Sequence, residues 1–182
     1  MVSKMDLTEK QLSYEYKFQG KIVNLRVDDA LLPNGATAKR EIVEHNGGVC
    51  VAPLDNEDNL YFVKQFRYPY MEIVTELPAG KLEKGEDPFE AGKRELKEET
   101  GFTSSNITYL GDFISTAGFS DENIRLYMAT DLVKGEASPD EDEFLDVIKI
   151  PISKALEMVM SGEIADGKTQ ALVLKVCNIL KK

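Results

Sequence analysis

The stretch Gly80–Phe102, GKLEKGEDPFEAGKRELKEETGF, decides the fold because it predicts a glycine-containing loop followed by a capped helix. Asp87 is a residue type that caps helices, and Pro88 suits the first helical position. Glu90 lies three residues after the cap, where a capping box places a glutamate. Gly101 supplies a stop signal. The sequence therefore predicts one helix between Pro88 and Gly101, entered directly from a loop.

The chemistry of this helix lies in its carboxylates. Glu95, Glu98 and Glu99 are spaced i, i+3 and i+4, so their side chains share one helical face. Like charges in this arrangement repel each other by a few tenths of a kcal/mol per pair. A hard divalent cation such as Mg²⁺ takes carboxylate oxygens, usually together with substrate phosphates, and converts that repulsion into binding.

A solvated charged face is the alternative interpretation of the same helix. Glu90, Arg94 and Glu98 follow one another at intervals of four, which suits a ladder of surface ion pairs. The preceding loop favours a site instead. Gly80 and Gly85 lie immediately before the carboxylates, and glycine lets a backbone approach a ligand closely.

Length and composition limit the remaining choices. The 182 residues suit one main domain, and 42% hydrophobic with 30% charged residues indicates a folded, water-soluble chain without a membrane span. A formal net charge of −10 disfavours partners such as nucleic acid or an anionic membrane. The charged start, MVSKMDLTEK, lacks the apolar run of a secretory signal, so we expect a cytoplasmic protein.

Cys50 and Cys177 suit buried thiols, and a lone His45 suits local backbone contacts.

Strands are expected on both sides of the helix. Alternating residues before and after Pro33-Asn34-Gly35 predict hairpins in the first third of the chain. Apolar runs at Val49–Leu54 and Leu60–Gln65 predict a central hairpin buried on both faces. Further strands are predicted at 107–114, 124–129 and 144–150, and further helices at 153–160 and 168–180. Together they favour an α/β fold with one mixed sheet covered by helices.

The helix and its loop resemble a known sequence family. The pattern G-x5-E-x7-R-E-U-x-E-E-x-G-U of the Nudix box, where U is apolar, is met at nine positions. They are Gly80, Glu86, Arg94, Glu95, Leu96, Glu98, Glu99, Gly101 and Phe102. The resemblance implies a Nudix-type α/β/α sandwich with a mixed sheet in residues 44–182. It also implies an N-terminal antiparallel β extension in residues 1–43, usable for dimerisation.

The resemblance further implies roles in a metal site. Glu95 and Glu99 would be metal ligands, with the carbonyl of Ala79 as a further one. Glu98 would be a third ligand or an orienting catalytic group, and Arg94 a structural partner of the carboxylates. The implied cofactor is Mg²⁺, with Mn²⁺ as the alternative.

Segments outside the box resemble the ADP-ribose pyrophosphatase branch of this family. They are 65–69 (QFRYP), 76–80 (ELPAG), 118–122 (GFSDE) and 140–144 (DEDEF). This likeness implies hydrolysis of ADP-ribose to AMP and ribose 5-phosphate by a homodimer. Two alternatives remain open: a hydrolase of another nucleotide sugar, such as a GDP- or UDP-hexose, and a nucleotide-sensing module that does not cleave. Ala117 departs from the branch, whose members often have proline there.

The same likeness assigns substrate-binding residues. Arg67 would contact the substrate phosphates, although an ion pair is the alternative. Glu141 would be the general base and Glu143 a metal ligand, in a register uncertain by one residue. A plain solvated turn after Pro139 explains these glutamates equally well. Glu122 would lie near the terminal ribose and Arg40 near a partner subunit's adenosine, while salt bridges are the alternative for both.

Overall fold

The computed structural model describes residues 6–140 and 143–181. Their backbone contacts form two compact units. One unit contains the chain up to Asn46 together with Thr116–Glu122, and the other contains Gly47–Ser115 and the chain from Asn123 onward. The sequence predicted a division after residue 43 and did not include the segment Thr116–Glu122 in the first unit. The predicted domain boundary stays a prediction.

The first unit is built on an antiparallel sheet. Its strands are β1 (Lys10–Gln19), β2 (Val23–Leu31) and β3 (Thr37–His45), hydrogen-bonded in that order. The predicted turn joins β2 to β3, with Gly35 at φ 85°. The inserted segment bonds to β3 at Val43, whose amide donates to the carbonyl of Phe119 at 2.7 Å. The N-terminal antiparallel β extension is thus observed.

The second unit contains seven strands and three helices among its described residues. In chain order they are β4 (Gly48–Pro53), β5 (Asn59–Arg67), β6 (Glu72–Glu76), β7 (Ala79–Lys81), α1 (Pro88–Thr100), β8 (Phe102–Ile114), β9 (Asn123–Lys134), β10 (Leu145–Pro151), α2 (Ile152–Ser161) and α3 (Gly167–Leu180). None of the helices within residues 6–140 and 143–181 has both the length and the apolar character that a bilayer crossing needs.

The strands of this unit form two sheets, where the sequence predicted one. The mixed sheet has the order β7-β4-β9-β8, with β4 and β9 parallel, and the antiparallel sheet has the order β10-β5-β6. The predicted central hairpin of β4 and β5 is wrong. The pairing between the two segments is an isolated bridge between Leu54 and Leu60. Strand β4 pairs with β7 and β9. Strand β5 pairs with β6 and β10.

Strand β4 lies at the centre of the sandwich because both of its faces are covered. Val49 and Val51 pack in a cluster with Ala91 and Leu96 of α1. The alternate residues, Cys50 and Ala52, belong to the cluster that holds the apolar residues of α2 and α3. All six residues of β4 are buried, which explains its continuous apolar run. Helices on both faces of a mixed sheet confirm the α/β/α sandwich.

Helix α1 begins and ends where its residue types predict. Asp87 Oδ1 accepts hydrogen bonds from the backbone amides of Phe89 at 2.9 Å and Glu90 at 3.2 Å. Gly101 adopts φ 74°, and its amide donates to the carbonyl of Lys97 at 2.8 Å. The helix therefore has fixed ends and presents a defined face to the mixed sheet.

Candidate metal and phosphate site

Two of the three helix carboxylates point into the protein. Glu95 and Glu99 are only 7% and 3% exposed, whereas the Glu98 side chain is 31% exposed. Residues i and i+4 lie on one helical face, and on α1 this face packs towards β4 and β7. Burying two carboxylates costs free energy unless charges or hydrogen bonds compensate. Their surroundings therefore decide what the site can bind.

Gly80 makes room for the Glu95 carboxylate. A Cβ atom on Gly80 would lie 1.8 Å from Glu95 Oε1 and 2.0 Å from its Cδ, so any side chain here would displace that carboxylate. The glycine of the box loop thus allows the backbone of β7 to lie directly against a box glutamate. Close approach is the reason for glycine at this position.

Arg94 joins the loop to the helix through four bonds to carboxylates and one to a carbonyl. Its Nε and Nη2 donate to Glu86 at 2.9 and 3.0 Å, and its Nη1 donates to Glu95 at 2.7 Å and Glu98 at 2.9 Å. Nη2 also reaches the carbonyl of Lys81 at 3.3 Å. These carboxylates, Glu86 foremost, raise the pKa of Arg94, which stays charged. Arg94 thus pairs with Glu86, Glu95 and Glu98 and links the loop to the helix.

The ladder of surface ion pairs, considered as the alternative interpretation of α1, is half right. Arg94 does pair with Glu98, but Glu90 pairs with Lys93, whose Nζ donates to it at 2.9 Å. Arg94 instead reaches Glu86, eight residues earlier in the loop. A buried carboxylate and a loop carboxylate compete successfully with an exposed one, because charge pairing strengthens as water is excluded.

Glu99 is held by the backbone that enters the box loop. The amide of Ala79 donates to Glu99 Oε2 at 3.1 Å. Burial, and then the negative charge of Glu95, raises the pKa of Glu99 to about 8. Burial also raises the pKa of Glu95, against the opposing charge of Arg94. Burial thus disfavours the charged form of both carboxylates, and each also feels the negative charge of neighbouring glutamates.

The donor chemistry of this site fits a divalent cation. Across residues 6–140 and 143–181, no three Asp, Glu, His or Cys side chains converge as a ready cluster, since Arg94 draws Glu95 and Glu98 to itself. A bound cation would favour the charged form of both carboxylates and so counteract the burial and the like charges that raise their pKa values. Oxygen donors and excess negative charge suit Mg²⁺ or Mn²⁺ better than softer metals.

The loop after β9 brings a further carboxylate. The amide of Gly135 donates to the carbonyl of Gly101, and the amide of Ser138 to that of Glu98, which fastens the loop to the end of α1. Glu143 lies close enough for its charge to raise the pKa of both Glu95 and Glu99. The predicted general base, Glu141, lies outside the described residues. The metal role of Glu143 remains a prediction.

Arg67 lies in a network of buried charges that sequence spacing did not indicate. Its Nε and Nη2 donate to the two oxygens of Glu76 at 2.5 and 3.0 Å, and its side chain is 37% exposed. Lys168 Nζ donates to the same carboxylate and to Asp166 at 2.9 Å. The ion pair considered as the alternative for Arg67 is therefore present. Its exposed edge can still meet an anion.

Glu76 and Lys168 were missed because 92 positions separate them in the chain. One signal was available. Asp166 precedes the predicted helix at 168–180 as a capping residue type, which places Lys168 in the first turn. What the sequence did not provide is the strand against which that turn packs.

The remaining predicted substrate residues belong to the first unit. Glu122 lies with its carboxylate 3.5 Å from His45 Nδ1. Arg40 donates to both oxygens of Glu9, at 2.9 and 2.7 Å. The salt bridge considered as the alternative is thus observed for Arg40, whereas Glu122 has a histidine as its neighbour. The binding roles of both residues stay predictions.

Comparison with known proteins identifies the family. Residues 44–168 match the NUDIX domain family, and residues 9–43 match the nucleoside diphosphate sugar hydrolase N-terminal domain. The first match covers more than half of the chain and includes the whole box. The chain belongs to the NUDIX domain family.

Three similar proteins extend over most of the chain. The methanol dehydrogenase activator of Bacillus methanolicus is 47% identical, over 88% of this chain and 88% of its own length. The ADP-ribose pyrophosphatase of Bacillus subtilis (strain 168) is 43% identical, over 90% of this chain and 89% of its own. A crystal structure of an ADP compounds hydrolase superposes with a TM-score of 0.85 at 21% identity, covering 98% of this chain and 97% of the other. That structure shows the fold alone.

Proposed function

We propose that the chain hydrolyses the pyrophosphate bond of ADP-ribose, with Mg²⁺, to AMP and ribose 5-phosphate. The observation that carries this proposal is the buried carboxylate pair Glu95 and Glu99 against the backbone of Ala79 and Gly80. The substrate is supported by the 43% identical relative named ADP-ribose pyrophosphatase. The N-terminal match to nucleoside diphosphate sugar hydrolases supports the same substrate class.

Glu95 and Glu99 would hold the cation, with the Ala79 carbonyl and Glu143 completing the oxygen donors. A bound Mg²⁺ would neutralise charge on the diphosphate and lower the pKa of a bound water. Arg94, which already pairs with Glu95 and Glu98, would keep these carboxylates in place. Fixing ligands through surrounding hydrogen bonds strengthens metal sites in general.

The chain's own groups would then perform the displacement. Arg67 would bind the diphosphate with the edge of its guanidinium that Glu76 leaves free, because a planar guanidinium suits phosphate oxygens. Glu141 would take the proton from the water that attacks phosphorus, with Glu98 orienting it. The phosphoanhydride bond breaks as the new bond to water oxygen forms. Glu122 would contact the ribose and Arg40 a partner's adenosine.

We also propose a homodimer in the cytoplasm. Tyr14 and Phe18 of β1 are 59% and 58% exposed, which suits an interface between copies. The two cysteines are buried free thiols, as expected in a reducing compartment. Sedimentation of the protein, and of a variant with serine at both aromatic positions, tests the dimer. An unchanged monomeric mass in both would contradict it.

The activity is tested with a substrate panel. ADP-ribose, GDP-mannose, UDP-glucose, a dinucleotide and a nucleoside triphosphate are incubated with Mg²⁺, and the products are separated. Release of AMP from ADP-ribose alone is expected. Cleavage of another nucleotide sugar in place of ADP-ribose would make that sugar the assigned substrate. Binding seen by calorimetry without cleavage would favour a sensing module.

A matched pair of variants tests the metal role. Glu99→Gln keeps the size of a buried side chain and removes its charge, and turnover with Mg²⁺ should fall by at least about a hundredfold. Glu90→Gln makes the same change at an exposed position of the same helix, where the side chain is 61% exposed, and should leave turnover unchanged. Intact turnover of Glu99→Gln would show that the metal assignment is wrong.

A second candidate function comes from the relative named for activating methanol dehydrogenase, which shares 47% identity with this chain. It is tested by adding the chain to methanol dehydrogenase of Bacillus methanolicus and measuring formaldehyde formation. Stimulation that disappears in Glu99→Gln would tie this effect to the same site. No stimulation at any protein concentration would remove it as a candidate.

A further inference from the structure

The orientation of Arg67 is not set by its direct partner in the sheet. In the register of β5 and β6, Arg67 lies opposite Glu72, a carboxylate at an exposed position. Its guanidinium nevertheless extends along the sheet to Glu76, which is 2% exposed and lies opposite Val63. An arginine with two carboxylates available thus takes the buried one. A further contact must therefore hold the Glu76 side chain in this buried position.

Lys168 provides that contact. Its side chain is 13% exposed and its ammonium contacts the Glu76 oxygen Oε2, the oxygen that also accepts from Arg67 Nη2. The Lys168 ammonium is itself held by Asp166, whose other oxygen caps α3 by accepting from the amide of Thr169 at 2.9 Å. A buried carboxylate needs charge partners to remain ionised. Glu76 therefore lies between an inner cation and an outer one.

The same turn of α3 also fixes the segment that leads to the box. Thr169 is fully buried, and its hydroxyl oxygen accepts from the amide of Leu77 at 2.9 Å. Two residues further on, the amide of Ala79 donates to Glu99. The segment 76–79 is thus bonded to α3 at its start and to α1 at its end. The positions of Arg67 and of the Glu95–Glu99 pair are therefore both fixed by contacts with the segment 76–79.

We propose that Lys168 is a positioning residue for the reaction: by holding Glu76 it keeps Arg67 aimed at the substrate diphosphate and away from Glu72. This inference rests on the proposed function, in which Arg67 binds phosphate. Lys168 itself need not touch the substrate. Without it, Glu76 loses its link to α3 and can shift, and Arg67, which follows Glu76, can turn to pair with Glu72.

The test uses five variants of the full chain. Lys168→Met keeps most of the side-chain length and removes the charge, and Lys168→Arg restores the charge. Lys175→Met is the matched control, because Lys175 lies on the same helix and donates to the carbonyl of Leu110 at an exposed position. Arg67→Ala, alone and combined with Lys168→Met, completes a double-mutant cycle. Thermal unfolding of each variant reports its stability.

In Lys168→Met, KM for ADP-ribose should rise about tenfold with kcat changed less than about twofold, the size expected for one lost charge-assisted contact. Lys168→Arg should recover most of this rise, and Lys175→Met should match the unaltered protein. In the Arg67→Ala background, Lys168→Met should have no further effect on KM. A purely structural role would instead lower the active fraction, and with it kcat, while KM stayed unchanged.

Calorimetric titration with ADP-ribose separates this inference from the proposed function. If the chain binds ADP-ribose without cleaving it, the proposed function fails, and the same pattern is expected in Kd in place of KM. If Lys168→Met behaves like Lys175→Met, or if its effect multiplies with that of Arg67→Ala, the positioning role is wrong. If ADP-ribose neither binds nor reacts, both proposals fail.

Discussion

Replacement of Gly80 by alanine separates the stability of the fold from the function of the site. The new Cβ would lie 1.8 Å from Glu95 Oε1, whereas ordinary contact begins at 3.4 Å. The carboxylate must therefore move by about 1.6 Å, the difference between these two distances. The displaced atoms are the end of a flexible side chain, so the backbone of α1 can stay where it is.

The two consequences of this movement differ in size. Gly80 has no positive φ, so alanine restricts the unfolded chain there and stabilises by about 0.4–1 kcal/mol. Loss of the bond from Arg94 to the buried Glu95 carboxylate costs more, about 1.5–3 kcal/mol for a hydrogen bond between charged groups. The free energy of unfolding should thus fall by only about 1–2 kcal/mol. Displacing Glu95, a proposed metal ligand, by more than 1 Å should lower kcat/KM by about a hundredfold.

The assay is ADP-ribose hydrolysis over a Mg²⁺ titration, beside urea unfolding of the same samples. Gly92→Ala is the control, since a Cβ there meets Tyr127 at 3.4 Å and Val51 at 3.5 Å, which is ordinary contact. It should keep full activity and gain up to about 1 kcal/mol in stability from helix propensity. If Gly80→Ala keeps wild-type kcat/KM at limiting Mg²⁺, the close approach of Gly80 to Glu95 has no functional meaning.

Three further predictions concern the fold. Asp87→Ala removes the cap of α1 and should cost about 1 kcal/mol in urea unfolding, and an unchanged midpoint would contradict the role of the cap. Gly101→Ala places a Cβ 2.8 Å from two backbone atoms at φ 74° and should lower the free energy of unfolding by more than about 1 kcal/mol, whereas Gly162→Ala, at φ 81° in open space, measures the backbone strain alone. Burial opposes the charge of Asp55, but hydrogen bonds from Lys149, Asn59 and Glu57 prevail and lower its pKa to about 2. Because the folded pKa lies below the ordinary value of 3.8, about 2 kcal/mol of stability should be present above pH 4 and lost as pH falls towards 2. Asp55→Asn should flatten that part of the stability profile, and an equally steep loss in the variant would contradict this assignment.

Local signals predicted the ends of helix α1 because the responsible contacts lie within four residues in the chain. Asp87, Pro88 and Gly101 act on neighbouring backbone, and the structure confirms each. The pairing of β4 could not be predicted in the same way. Its apolar run indicates burial on both faces, but the strand it joins in parallel, β9, begins at Asn123. Periodicity shows which faces are buried and does not show which strand covers an edge.

The candidate site divides along the same line. The i and i+4 spacing of Glu95 and Glu99 predicted one shared face, and both are buried there. The competition for Arg94 could not be predicted from helix spacing, because Glu86 belongs to the loop. The contact of Lys168 with Glu76 could not be predicted from the sequence for a similar reason. A contact between the first turn of α3 and the end of β6 depends on how the layers stack.

The parallel pairing of β4 with β9 has a consequence for how the chain folds. Gly48 lies opposite Ile124, so the whole of α1 is enclosed in the loop that this pairing closes. Closing a long loop costs entropy before its contacts repay it, and folds rich in such pairings fold slowly. The helix that carries the carboxylates can form early from its own caps, but we expect its packing against β4 and β7 to be completed late. A ligand that contacts both α1 and β7 therefore stabilises the folded protein. It cannot bind tightly to states in which the two elements are not yet packed together.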